Sequence, residues 1–320
     1  MSEIAFREES DTMGPVRVPQ DAYYGAQTMR AVQNFPISEL RIPASGIRAL
    51  GLIKKHAAVA NRELGVLDAG IASAIEQAAS EMVEGSFDDQ FPIDVFQTGS
   101  GTSWNMNANE ILANRANEIL GAPRGSKSPV HPNDHVNRGQ SSNDVIPSAV
   151  HIADRLMLPQ LISALDVLEA AFRDRSAAFS EVVKLGRTHL QDAVPMTLGQ
   201  EFGAFRTQIA KARTRLESCH ASLEELALGG TAIGTGLNAH PGFGERTIAG
   251  IADETGIPFR AADNRFEAIG SRDAQVELMG AINVLAGALM KIANDLRILA
   301  SGPRGALGEI VLPSLQPGSS

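Results

Sequence analysis

The sequence has little cysteine, few aromatic residues and a deficit of positive charge. Its one cysteine, Cys219, rules out a disulfide within the chain and makes a reducing compartment, the cytoplasm, the default expectation. The same count excludes an iron–sulfur cluster held by three or four cysteines of this chain. Aromatic residues are only 5% of the 320 residues, whereas Ala, Leu, Ile and Met abound. That balance favours packed helices over sheet.

Three further absences narrow the possible partners. The net charge is -9 and there is no block of Lys and Arg, so we expect no nucleic-acid partner. The N-terminal residues are charged and lack an apolar core, so we expect no signal peptide. The longest charge-free apolar helical stretch, at 278–290, is shorter than the roughly 20 residues that span a bilayer, so we expect no membrane partner.

The pattern of the chain changes near residue 140. Before it, short helical pieces alternate with loops marked by Pro and Gly; after it, three long segments carry apolar residues in a 4-then-3 rhythm. Such a seam requires near-parallel or antiparallel helices packed knobs-into-holes, in a long bundle shared between subunits. The sequence therefore predicts a mainly all-α fold, with a smaller, mixed but mostly helical N-terminal domain at 1–140 and a long-helix bundle domain at 141–320.

Two polar segments lie where helices are expected to begin. The Gly/Ser/Thr turn at 97–102 enters a helix and would present N–H groups and hydroxyls to an anion, or simply cap a surface helix. Five asparagines at 105–117 make that helix poor by propensity, so something else must favour them. Residues 141–144 are good N-cap residues, which indicates either a plain cap or a polar helix start that holds a carboxylate.

Two histidine-bearing loops are the other candidates. Residues 131–137 contain two histidines and a carboxylate, but Pro132 breaks any helical i, i+4 face, so we expect no metal site. Residues 186–192 carry His189 just before a capping box, Thr197 to Gln200, that opens a long helix. A lone loop histidine is usually solvated, and catalysis is the alternative interpretation.

Taken together, these motifs are specific. The motifs QTGSGT…NMNANE, HPND, GQSSND, GRTHLQDA and LGGTAIGTGLN, in this order and spacing, resemble class II fumarases of the fumarase/aspartase superfamily of homotetrameric lyases. The resemblance implies reversible hydration of fumarate to L-malate, a step of the tricarboxylic acid cycle, with no metal or organic cofactor. Aspartate ammonia-lyase is the alternative within the superfamily. His189, Ser142 and Ser100 favour fumarase, because aspartases typically carry Gln, Thr and an Ala-type residue there.

The resemblance also implies roles for individual residues. Ser319 would be the catalytic base, and His189 would handle the water or hydroxyl. The residues that would bind the substrate carboxylates are Ser100, Gly101, Thr102, Ser141, Ser142, Asn143, Thr188 and Ser320. A second, non-catalytic dicarboxylate site would be formed by His131, Pro132, Asn133 and Asp134. Each active site would be assembled from three subunits of the homotetramer.

The last three residues, Gly318, Ser319 and Ser320, resemble the start of the superfamily's signature loop, G-S-S-x-M-P-x-K-x-N. In the family, the loop's Lys and Asn, a later bundle helix and a small C-terminal domain follow. We therefore expect the 320-residue chain by itself to be an inactive helical module, with activity residing in the complete protein.

Overall fold

The computed structural model describes residues 5–318, and most of its elements are helices. In chain order they are α1 (Ala26–Asn34), α2 (Ala44–Glu63), α3 (Ala69–Val83), α4 (Thr102–Ile119), α5 (Ser142–Ala178), α6 (Leu198–Ser218), α7 (His220–Leu223), α8 (Phe243–Thr255), α9 (Arg265–Gly270) and α10 (Asp273–Leu299). A short 3-10 helix at Asp88–Gln90 and a single π-helical turn at Pro132–Val136 lie in the connections. The predicted mainly all-α fold is confirmed.

The strands are short and pair in twos. The antiparallel pairs are β1 (Phe6–Asp11) with β2 (Gly14–Pro19), and β3 (Val183–Thr188) with β4 (Gln191–Thr197). The second of these hairpins has a register shift between Leu185 and Arg187. A parallel pair joins β5 (Glu225–Leu226) to β6 (Arg260–Ala261). Because each described sheet has two strands, the strands act as local ribbons rather than as a layer of the fold.

The chain divides into two compact units. One runs to Met157 and takes in Ala221–Ala274; the other contains Leu158–His220 and the residues from Gln275 onward. The predicted domains, 1–140 and 141–320, differ from these units. The start of α5 groups with the first unit because its polar side chains bond to the segment after β5. Ser148 Oγ, for example, accepts from the N–H of Ala227 at 3.1 Å.

The first unit is built around α2, which packs on α3 and α8. The buried face of α2 includes Leu50 and Ile53, and one apolar cluster joins it to Ile111 of α4 and Ile152 of α5. Asp68 is the N-cap of α3, and its carboxylate accepts from two first-turn N–H groups at 2.8 and 3.1 Å. The buried apolar face of α2 and the Asp68 cap together hold this part of the fold.

Buried asparagines attach α4 to the surrounding loops. Asn114 donates to the carbonyl of Tyr23 at 2.8 Å and accepts from the N–H of Gly125 at 2.7 Å. Asn117 bonds both the N–H and the carbonyl of Val130, at 2.7 and 2.9 Å. Loop backbone lacks the ladder of a helix or sheet, so its buried polar groups need such partners. These hydrogen bonds explain why asparagines occupy the helix despite their low helix propensity.

In the second unit, aromatic rings pack between α5 and α6. The ring centroid of Phe172 lies 6.2 Å from that of Phe202 and 5.8 Å from that of Phe205, and the centroids of Phe202 and Phe205 lie 5.6 Å apart. The predicted capping box opens α6: Thr197 Oγ1 accepts from the N–H of Gln200 at 3.2 Å, and Gln200 Oε1 accepts from the N–H of Thr197 at 3.0 Å. The predicted apolar series of this segment is buried through the end of α6, at Leu198, Phe202, Phe205, Ile209, Ala212, Leu216 and Cys219. Its last two members, Leu223 and Leu226, are also buried but belong to the first unit.

Helix α10, within residues 5–318, is long and apolar enough to cross a membrane by length and composition alone. Its most apolar window has a mean hydropathy of 1.6 and is 17% buried. The charge-free stretch at 278–290 is shorter than the helix, which runs through Glu277 and Lys291. A helix that packs against other protein helices meets the same criteria. The absence of a membrane partner therefore stays a prediction.

Gly244 of α8 packs directly on backbone. A Cβ placed there would lie 2.6 Å from the carbonyl oxygen of Leu228 and 3.0 Å from the Cα of Gly229. We expect Gly244→Ala to lower the free energy of unfolding by about 1–3 kcal/mol, because the loop must shift to admit the methyl group. Urea denaturation measures this change. Glu245→Ala, on the exposed side of the same helix, is the control and should stay within about 0.5 kcal/mol. Equal stability of both variants would contradict the packing.

Candidate active site

The turn that leads into α4 is a row of hydroxyl groups. Ser100 Oγ lies 2.9 Å from Thr98 Oγ1 and 3.0 Å from Thr102 Oγ1. Gly101, the N-cap, has a φ of 74°, which favours glycine, and a Cβ there would lie 2.7 Å from Ile146 Cγ2. The turn therefore packs closely on α5. Ser100 and Thr102 remain exposed beside the positive end of the α4 dipole, where an anion is favoured.

The start of α5 is held by a buried carboxylate. Asp144 accepts from the N–H of Ser141 at 2.9 Å through Oδ1, and from those of Gly229 and Thr231 at 3.1 and 2.9 Å through Oδ2. Burial raises the pKa of Asp144 to about 6, against the lowering effect of these hydrogen bonds. Asn143 Nδ2 donates a further hydrogen bond, of 2.7 Å, to the carbonyl of Ala232. Residues 229–232 are thereby fastened to the helix start.

Asn105, in the first turns of α4, joins the two helix starts. Its Nδ2 donates to Ser142 Oγ at 3.0 Å and to Asn137 Oδ1 at 3.2 Å. Since the Gly101 turn also contacts Ile146 of α5, the hydroxyls before α4 and those at the start of α5 form one polar surface of the first unit. The structure thus brings together two of the segments predicted to bind carboxylates.

Lys54 is a functional candidate that sequence reasoning missed. It belongs to α2, its side chain is 0% exposed, and its Nζ donates to Asn137 Oδ1 at 3.0 Å and to Gln140 Oε1 at 2.8 Å. Burial lowers the pKa of Lys54 to about 7, and the charge of Asp144 opposes this shift. The available signal was its position: Leu50, Lys54 and Ala57 recur with the spacing of a buried helical face.

The predicted second anion site is a compact turn. His131 precedes the π-helical turn, and its Nδ1 accepts from the N–H groups of Asn133 and Asp134 at 3.3 and 3.2 Å. Asn133 and Asp134 are exposed, whereas Pro132 is buried. Within residues 5–318, no group of three or more His, Cys, Asp or Glu side chains is placed to hold a metal ion. Whether the turn binds an anion stays a prediction.

Thr188 and His189 belong to the second unit, at the tip of the β3–β4 hairpin. His189 and Leu190 have φ angles of 52° and 62°, and Thr188 pairs with Gln191. Two successive left-handed residues define a two-residue turn of the type I′ class, which normally uses Asn and Gly. The exposed imidazole of His189 therefore lies at the tip of the hairpin. Neither His189 nor Leu190 is a residue type that prefers this left-handed backbone conformation. Ser319 and Ser320, also predicted for the site, lie outside the described residues.

Comparison with known proteins identifies the family. A family model described as lyase matches residues 14–320. Fumarate hydratase class II of Thermus thermophilus is 57% identical over 320 residues, which cover 99% of this chain and 68% of that protein. The chain belongs to the class II fumarate hydratase family. Mitochondrial fumarate hydratase of Homo sapiens, another relative, is 52% identical over 322 residues, with 100% of this chain and 63% of that protein covered.

Solved structures of fumarate lyases share the fold. The class II fumarase of Schistosoma mansoni has a TM-score of 0.96 at 39% identity, with 99% of this chain and 70% of that chain covered. The native fumarate lyase:delta crystallin of Brucella melitensis has a TM-score of 0.93 at 46% identity, with coverages of 99% and 72%. The predicted family and lyase class are confirmed, and aspartate ammonia-lyase is not favoured. The chain spans about two thirds of the length of these class II fumarate hydratases.

Burial of Lys54 makes stability depend on pH in a defined direction. Its folded pKa of about 7 lies below the ordinary 10.5, so the unfolded chain binds more protons between these values and stability rises with pH there. We expect urea denaturation midpoints to rise from pH 7.5 to 9.5 more in the wild type than in Lys54→Met. The difference is at most about 1.4 kcal/mol per pH unit for one proton.

The control for this measurement is Lys55→Met. Lys55 is the next residue along α2 and bonds Glu254 at 2.8 Å near the surface. Its substitution should leave the rise with pH in place. An identical pH dependence in the wild type and Lys54→Met would mean that Lys54 keeps an ordinary pKa in the folded protein.

Proposed function

We propose that the protein is a cytoplasmic fumarate hydratase that adds water reversibly to fumarate to give L-malate, as a step of the tricarboxylic acid cycle. The observation that carries this proposal is the 3.0 Å bond from Asn105 Nδ2 to Ser142 Oγ, which joins two hydroxyl-rich helix starts into one anion-binding surface. Relatives named fumarate hydratase, at 57% and 52% identity, support the same reaction. The single, buried Cys219 is consistent with a reducing compartment.

The reaction sets three chemical requirements. Dehydration of malate removes a weakly acidic proton from the carbon next to a carboxylate. The resulting carbanion spreads onto that carboxylate, which then carries two negative charges on its oxygens, and the hydroxyl leaves from the neighbouring carbon as water. The enzyme must therefore supply a base, a donor-rich cradle for the enlarged charge, and an acid for the leaving hydroxyl.

The two helix starts of the first unit suit the cradle. Their hydroxyl, amide and backbone N–H groups stabilise anions without adding a charge that titrates. The residues we assign to carboxylate binding here are Ser100, Gly101, Thr102, Ser141, Ser142 and Asn143. We also assign a second dicarboxylate site, without a catalytic role, to His131, Pro132, Asn133 and Asp134. The chemistry of these donors calls for no metal or organic cofactor.

The acid and base belong to other segments of the proposed site. His189 would exchange a proton with the water or hydroxyl. The neighbouring Thr188 would bind a substrate carboxylate. Ser319, followed by Ser320, would be the base, and a serine needs its alkoxide stabilised by N–H groups or a cation to act so. The left-handed turn at His189 supports this assignment, because strained positions cluster at functional sites.

We further propose a homotetramer in which each active site draws on three subunits. Helix α10 supports this assembly, since Val276, Met279 and Met290 are 70%, 63% and 68% exposed in the single chain. Apolar side chains repeated along one long helix are suited to packing against the same helix of another copy.

Hydration should depend on the cradle hydroxyls. We expect Ser142→Ala to lower kcat/KM for fumarate by about 100-fold, the usual effect of removing one donor from a developing negative charge. Loss of fumarate absorbance measures the rate in protein expressed from its complete reading frame. Ser73→Ala, an exposed serine of α3, is the control and should match the wild type. Full activity in Ser142→Ala would remove this turn from the site.

His189 should act on the chemical step rather than on substrate binding. We expect His189→Gln to lower kcat for hydration by about 100-fold or more while KM changes little, because loss of acid–base catalysis has that size. His240→Gln provides the control, since His240 is exposed in a glycine-rich loop. A variant that keeps kcat and raises only KM would assign His189 to binding instead.

A further inference from the structure

In the part of the chain that the structure describes, Lys54 makes no hydrogen bond to the hydroxyls proposed to bind substrate, yet buried polar side chains surround its ammonium. It is among the largest fully buried side chains of the described chain. Among residues 5–318, no carboxylate lies within ion-pair distance of its Nζ, and its acceptors are two neutral amides, Asn137 and Gln140. A buried ammonium is costly unless its donors are satisfied, so a packing role alone would be served better by an apolar residue.

The ammonium determines which way the neighbouring amides face. Lysine has donors and no acceptor when charged, so Asn137 and Gln140 must present oxygen to it. Asn137 Oδ1 also lies 3.2 Å from Asn105 Nδ2, so Asn105 must present its NH₂ group on this side. A rotated Asn137 amide would place two NH₂ groups against each other, which the buried network disfavours.

The hydrogen bonds from Lys54 through Asn137 and Asn105 form a relay, and its last bond reaches Ser142 of the proposed cradle. Asn105 Nδ2 also donates to Ser142 Oγ at 3.0 Å. The serine oxygen is then an acceptor on its buried side, and its own O–H proton is left to donate elsewhere. A carboxylate can only accept hydrogen bonds, so a hydroxyl with this orientation suits an anion.

We propose that Lys54 is a positioning residue: through Asn137 and Asn105 it orients the Ser142 hydroxyl as a donor to a substrate carboxylate. This inference rests on the proposed function and names one more residue on which that site depends. A bound dianion would in turn favour the charged form of Lys54, because a nearby opposite charge stabilises the ammonium. The hydrogen bonds thus couple occupancy of the site to the protonation of the Lys54 side chain.

A double-mutant cycle in kcat/KM for fumarate tests the relay, with the protein expressed from its complete reading frame. We expect Lys54→Met and Ser142→Ala each to lower kcat/KM by about tenfold or more, and the double variant to be within about threefold of the worse single variant, as for residues that act as a unit. Multiplicative effects would overturn the proposal. Asn137→Ala in place of Lys54→Met gives the same cycle if the lysine variant does not fold.

The control and a second readout separate this inference from the proposed function. Lys55→Met should keep wild-type kcat/KM. A crystal structure of Lys54→Met, or of Asn137→Ala, should show Asn105 Nδ2 more than 3.5 Å from Ser142 Oγ, and an unchanged 3.0 Å bond would overturn the relay without any activity being measured. A wild type that does not hydrate fumarate would reject the function, whereas an active wild type with a multiplicative cycle would reject only the role of Lys54.

Discussion

The candidate site depends on the carboxylate of Asp144. It is fully buried, and its oxygens accept from the backbone N–H groups of Ser141, Gly229 and Thr231. A buried carboxylate requires such donors, because removing it from water unpaired is costly. The bonds therefore hold the start of α5 against a loop 87 residues later in the chain. Without them the hydroxyls at 141–142 would have no fixed place relative to the rest of the first unit.

The same logic extends through α4, where amides replace much of the apolar packing that a buried helix usually has. Asn114 and Asn117 bind loop backbone, while Asn105 binds side chains of the candidate site. Helix α4 also carries Glu110, whose carboxylate accepts from the first-turn N–H groups of α1. Asn114 and Asn117 bond through both amide atoms, whereas Asn105 Oδ1 is buried without a hydrogen-bond partner among the described residues. Directional bonds of this kind fix the groups that they join. They align helix ends in a way that non-directional apolar contacts cannot.

Local features could be predicted and long-range ones could not. The Thr197–Gln200 capping box and the hydroxyl-rich helix starts depend on residues a few positions apart, and both were found where the sequence indicated. Lys54 escaped notice because it stands beside Lys55 in α2, and only its place on the buried face distinguishes the two. The grouping of residues 221–274 with the first unit rests on bonds to the start of α5, which leave no periodic trace in either segment.

The hairpin between β3 and β4 limits how its sequence can change. Both tip residues, His189 and Leu190, adopt left-handed backbone, where a β-branched side chain is strongly disfavoured and Asn, Asp or Gly is tolerated best. Only a small set of residue types can therefore replace His189 or Leu190 without loss of stability. Gln191 and Asp192, exposed in extended strand, face no such restriction. A randomised library across the hairpin would accordingly retain few variants at its tip and many beside it.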